Sequence, residues 1–96
     1  MLKEPCVYIL ASRKDGTLYT GVTSNLQVRV RQHKEKRRPG VTSTHDVDQL
    51  VWFEVHGSLD SAVLREKQLK SGSRQQTLNL INQLNPDWSD LYFTLF

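Results

Sequence analysis

Cys6-Val7-Tyr8-Ile9-Leu10-Ala11 and Leu18-Tyr19-Thr20-Gly21-Val22-Thr23, with Ser12 to Thr17 between them, decide the fold. Both hexapeptides are rich in strand formers, and Asp15-Gly16 in the interval is a hairpin signal. Downstream, Ser24-Asn25-Leu26-Gln27 reads as a capping box opening a helix from about Asn25 to Arg37, which Pro39-Gly40 ends. Residues 41–48 are polar and read as loop. Residues 50–55 make a third strand, and Gly57-Ser58 separates it from a helix over Leu59 to Lys70 that stops near Gly72. Ser73-Arg74-Gln75-Gln76 is a second capping box; its helix runs to Leu84 and halts at Asn85-Pro86. The order β-β-α-β-α-α predicts an α+β fold, a three-stranded, largely antiparallel sheet covered by three helices.

The chain has 96 residues, read as one domain over 1–96. A chain of that size buries roughly 65% of its unfolded surface, so a site must be a surface cleft of one modest core. The net charge is only +3, but ten of the thirteen basic residues fall in two short segments. Arg29, Arg31, Lys34, Lys36, Arg37 and Arg38 form one; Arg65, Lys67, Lys70 and Arg74 form the other. Clustered cations suit a polyanion, because each neutralised phosphate releases counterions. A solvated helix face gives the same pattern. Cys6 is the single cysteine, which excludes an intramolecular disulfide and a thiolate zinc site and reads as a small apolar strand residue. The longest apolar run, Val7 to Ala11, is far below the roughly 20 residues of a membrane helix. Met1 to Pro5 does not lead into the long apolar stretch of a signal peptide, so a cytoplasmic, membrane-free protein is expected.

Three groups of side chains could carry chemistry. Tyr8 and Tyr19 share a sheet face, directly paired if the turn is two residues at Arg13-Lys14 and offset if it lies at Asp15-Gly16. Two tyrosines packing on a helix would look the same. Asn25, Arg29 and His33 recur at i, i+4 and i+8, beside a Leu26/Val30 stripe that can dock on the sheet. Glu66 is the local anomaly, falling among Leu59, Ala62, Val63 and Leu69 on the apolar side of its helix. A carboxylate there must be paired, with Arg29 or a neighbouring Lys, or must bind metal.

Cys6-Val7-Tyr8, followed by Tyr19-Thr20-Gly21 eleven residues on from tyrosine to tyrosine, resembles the signature of the GIY-YIG nuclease superfamily. Arg29 ten residues after Tyr19, His33 four later, and Glu66 on a following helix match that family's order. Arg65 to Lys70, Ser73-Arg74, Leu80-Ile81 and Asn85-Pro86-Asp87-Trp88 are similar to its small stand-alone bacterial branch. Cys6, Val7 and Thr20 depart from the motif letters, and Thr77 stands where that branch has a lysine. His45 and His56 receive no role.

The resemblance implies a metal-dependent endonuclease cutting nucleic-acid phosphodiesters, structure-directed or weakly sequence-specific, with DNA expected ahead of RNA. It implies Tyr8 as the group activating water, Tyr19 positioning water or phosphate, His33 relaying the proton and Arg29 neutralising the phosphate. It implies Glu66 as the ligand of one Mg²⁺ or Mn²⁺. These five residues are expected in one cleft, with neither tyrosine on the opposite sheet face from Glu66. Arg31, Lys34, Lys36, Arg37, Arg38, Lys67, Lys70 and Arg74 are the candidate nucleic-acid contacts. The rival readings are a nucleic-acid-binding module with a degenerate site and a protein-interaction domain with solubilising charges.

Charge reversal at Arg37 and Arg38 is expected to weaken nucleic-acid binding and flatten its salt dependence with little change in stability. Fluorescence anisotropy across a salt series checks this; unchanged affinity would remove that cluster from the binding surface.

Overall fold

The computed structural model describes residues 4–35 and 46–96, so Lys36, Arg37, Arg38 and His45 lie outside the described residues. Strand β1 (Cys6–Ala11) is buried at all six positions, which a strand achieves only when both sheet faces and both edges are covered. It pairs antiparallel with β2 (Leu18–Thr23) on one side and β3 (Gln49–Val55) on the other, giving the order β2-β1-β3. A register shift between Ile9 and Leu10 leaves Val51 as an extra residue in β3.

Alternation along β1 splits the core into two layers. Cys6, Tyr8 and Leu10 meet Leu26 and Val30 of α1 (Leu26–Lys34), with Val47, Leu50 and Tyr92. Val7, Ile9 and Ala11 meet Ala62 of α2 (Leu59–Ser71) and Ile81 of α3 (Arg74–Leu84), with Val51, Trp52 and Trp88. The α+β architecture and element order are therefore those expected from the sequence.

The differences are local. The hairpin turn is four residues, Arg13 to Gly16, closed by Ser12 N–H to Thr17 O at 3.0 Å and Gly16 N–H to Arg13 O at 3.0 Å. Asp15 takes the left-handed conformation there (φ 59°), a conformation Asp tolerates better than most side chains. The cap of α1 is Asn25, whose side chain accepts from Val28 N–H, in place of Ser24; Thr23 Oγ1 in turn accepts from Asn25 N–H. The second capping box is present, with Ser73 and Gln76 satisfying each other's backbone. Leu59 is half-exposed, so the inner stripe of α2 begins at Ala62.

A short 3-10 turn (Leu91–Thr94) follows α3, with no counterpart in the sequence pattern. Its approach closes β3. Asn85 Nδ2 donates to Val51 O at 3.1 Å and to Ser89 O at 2.9 Å, while Asp90 Oδ1 accepts from Leu50 N–H at 3.1 Å. Side chains thus take the place of a fourth strand, the accounting that buried backbone groups require. Trp88 sits at φ 55°, held by burial and by an indole N–H donated to Asn82 Oδ1 at 2.7 Å.

Asn85→Ala is expected to strand the Val51 carbonyl and the Ser89 backbone, costing about 1–3 kcal/mol. Thermal melts should fall by roughly 4–8 °C for each kcal/mol. An unchanged Tm would show that this closure of β3 contributes nothing.

Candidate active site

The hairpin register pairs Tyr8 with Gly21 and Leu10 with Tyr19, so the two tyrosines are diagonal neighbours on one face. Their rings lie 6.3 Å apart. The direct Tyr8–Tyr19 pairing that a two-residue Arg13-Lys14 turn would give is absent, because the four-residue turn shifts the partner strand by two. The same-face relation survives that shift.

Gly21 is what lets Tyr8 lie where it does. A Cβ on Gly21 would stand 2.6 Å from the Tyr8 hydroxyl and 2.7 Å from the ring carbon that bears it. The ring therefore crosses bare backbone, and its hydroxyl comes to rest over β2, the edge strand. A lone glycine inside a strand pattern signals such an approach, so this contribution was open to sequence reasoning and passed over.

From α1, His33 joins both rings, with centroids 6.0 Å from Tyr8 and 5.3 Å from Tyr19. Tyr8 Oη and His33 Nε2 share a hydrogen bond of 3.2 Å. The phenol donates when Nε2 is unprotonated and accepts when Nε2 carries the proton. Burial pushes the Tyr8 phenol well above its ordinary range, Tyr19 adds to that, and the charge of the nearby Arg29 guanidinium pulls the other way. Tyr8, Tyr19, His33 and Arg29 therefore form one cluster: a neutral buried phenol, an imidazole to exchange its proton, a second phenol, and a fixed cation.

Glu66 stands apart. Its helix α2 covers the layer of Val7, Ile9 and Ala11, the sheet face opposite Tyr8, and lies across β2 and β1. The expected single face is corrected by strand alternation, which sends the even-numbered β1 side chains to α1 and the odd-numbered ones to α2. Glu66 ion-pairs with Lys70 at 3.3 Å, and its side chain keeps 20% of its exposure. Of its two bland partners, the neighbouring Lys is the one found. Among the described residues there is no group of three His, Cys, Asp or Glu side chains able to hold a metal.

The basic candidates separate likewise. Arg31 is exposed on α1, and Lys67 and Lys70 are exposed on α2, in the opposite layer. Lys34 ion-pairs with Asp90 and lies over the Tyr92 and Phe93 rings. Arg74 donates to Asp15 O at 3.0 Å and Gly16 O at 2.7 Å, tying α3 to the hairpin turn. Arg65 is held by Glu54 at 3.1 Å, and His56 by Glu54 at 2.7 Å. Thr77, at the lysine position, is buried. Among the described residues, no helix is long and apolar enough to cross a membrane.

A family model described as the GIY-YIG catalytic domain matches residues 4–79. A UPF0213 protein of Staphylococcus haemolyticus is 38% identical over 77 residues, 80% of this chain and 93% of that protein. One from Syntrophus aciditrophicus is 40% identical over 82 residues, 84% of this chain and 92% of that protein. The solution NMR structure of a UPF0213 protein from Bacillus halodurans aligns with a TM-score of 0.55 at 25% identity, covering 90% of each chain.

Gly21→Ala is expected to displace the Tyr8 hydroxyl and break its contact with His33, destabilising the fold by about 1–3 kcal/mol through overpacking. The phenol resonances and a thermal melt read this directly; an unperturbed Tyr8 would show that the approach to Gly21 is not needed.

Proposed function

This chain belongs to the GIY-YIG catalytic-domain family, and we propose that it is a metal-dependent endonuclease hydrolysing nucleic-acid phosphodiesters, DNA ahead of RNA. The observation that carries the reading is the hydrogen bond between the buried Tyr8 hydroxyl and His33 Nε2 beside the Arg29 guanidinium.

Hydrolysis needs an activated water and neutralised phosphate charge. A standing phenolate is disfavoured, because burial already holds the Tyr8 proton on. Tyr8 instead passes its proton to His33 Nε2 as it takes one from the attacking water. The water oxygen bonds to phosphorus, the scissile P–O bond breaks, and the departing oxygen takes a proton from solvent, to which His33 later gives up its own. Arg29 presents its planar fork to the phosphate oxygens, and Tyr19 orients water or phosphate from the neighbouring strand position.

Glu66 would hold one Mg²⁺ or Mn²⁺. The donor set fits: Mg²⁺ takes one or two carboxylates and keeps most of its waters, so a lone glutamate suffices and a protein cage is not required. Its Lys70 partner is 55% exposed and readily displaced. When bound, the metal supplies charge neutralisation at the phosphate and the leaving oxygen. The position of α2 across the sheet also supports the rival reading, a nucleic-acid-binding module whose carboxylate does not reach the tyrosines.

The deciding assay incubates labelled DNA and RNA structures with protein in Mg²⁺, Mn²⁺ or EDTA, alongside Glu66→Gln. The endonuclease reading expects cleavage that EDTA abolishes and that falls by at least about a hundredfold in Glu66→Gln. Stability should change by only about 0.3–0.5 kcal/mol, the worth of one exposed i,i+4 pair. Binding without cleavage in every metal would leave the binding module.

A further inference from the structure

Helix α2, which carries Glu66, has little apolar packing to hold it in place. Ala62 is the one buried residue among its thirteen, and Leu69 packs beside it half-buried. Leu59 and Leu64 are exposed. A single methyl group does not interdigitate with the facing sheet as a buried Leu or Ile does, so it fixes neither the rotation of a helix nor its axial position.

The end of β3 supplies what packing does not. Glu54 Oε1 accepts from Arg65 Nε at 3.1 Å and bonds His56 Nε2 at 2.7 Å. The other ring nitrogen, His56 Nδ1, bonds Ser61 Oγ at 3.0 Å. His56 is itself anchored to the sheet, its backbone N–H donating to Pro5 O at 2.8 Å. Ser61 and Arg65 are i, i+4 neighbours on one stripe of α2, about 6 Å apart along its axis. Glu54 and His56 are two residues apart where β3 ends, about 7 Å in extended chain. The spacings match, so the contacts make a two-point tie that resists both sliding and rolling of α2. Both points rest on the Glu54 carboxylate, directly for Arg65 and through His56 for Ser61.

We propose that Glu54 is a positioning residue for Glu66, acting through Arg65 and through the His56–Ser61 pair. Arg65 immediately precedes Glu66, so the tie that holds one sets how the other leaves the helix. Lys70 cannot do this, since it pairs with Glu66 from the same helix and places nothing relative to the sheet. The inference rests on the metal reading of Glu66 above and deepens it.

The test is the Mn²⁺ affinity of the full chain by isothermal titration calorimetry, in wild type, Glu66→Gln, Glu54→Gln, Arg65→Gln and Ser61→Ala. A thermal melt of each variant verifies the fold. Positioning expects affinity to fall about tenfold or more in both Glu54→Gln and Arg65→Gln. A mere field effect expects opposite signs, because losing a carboxylate weakens cation binding and losing the adjacent guanidinium strengthens it. Tighter or unchanged binding in Arg65→Gln therefore overturns the proposal. Should a glutamine variant fail to fold, Ser61→Ala decides, since it cuts the second point at an exposed position: lower affinity supports the tie and unchanged affinity overturns it. A wild type that binds no Mn²⁺, or a Glu66→Gln that binds it equally well, overturns the metal reading and this role with it. Glu66-dependent binding that both other glutamine variants retain overturns the role of Glu54 alone.

Discussion

The Tyr8 ring lying across Gly21 is the contact on which the rest of the site depends. It requires β2 to pair with β1 in one register, because a slip of one residue would set a Cβ beneath the ring and send Tyr8 to the other face. That register is fixed by the four-residue turn, and Arg74 grips the turn through its Asp15 and Gly16 carbonyls. A cation that sequence clustering assigns to nucleic acid therefore acts from α3 on the geometry of the tyrosines. With Tyr8 laid flat over backbone, its hydroxyl reaches the sheet edge, where α1 brings Arg29 and His33 to it.

A strand buried on both faces must divide its side chains between two layers, and this division separates the chemistry of the molecule. Tyr8, Tyr19, Arg29 and His33 gather under α1, while the carboxylate proposed to hold metal rides on α2 behind the sheet.

The fold was legible because its elements announce themselves locally: alternating strand formers, the Ser73–Gln76 box, the Asn85-Pro86 stop. Tyr8, Tyr19, Arg29 and His33 were legible because period-two and period-four spacing place them on one face each, and the structure joins those faces. The layer of Glu66 was not, since no local pattern states on which side of a sheet a later helix will dock. Lys34 and Arg74 look like nucleic-acid contacts in the sequence because their partners, Asp90 and the turn carbonyls, are distant in it. The 3-10 turn escaped for a related reason. Asp90 and Asn85 serve the backbone of β3, a tertiary need that leaves no periodic trace.

The raised Tyr8 proton affinity constrains how such a cluster can work. Burial, and Tyr19 beside it, outweigh the lowering effect of Arg29, and the phenol stays above its ordinary range. A phosphate seated on Arg29 adds negative charge beside the hydroxyl and draws off part of that help, moving the phenol further from ionisation. On the proposed reading, substrate binding by itself therefore does not favour a phenolate base. On the proposed reading two features answer this: His33 takes the proton as the phenol gives it up, and a cation accompanies the phosphate. His33 acts directly on the Tyr8 oxygen, and Gly21 is the reason that atom lies where His33 can reach it.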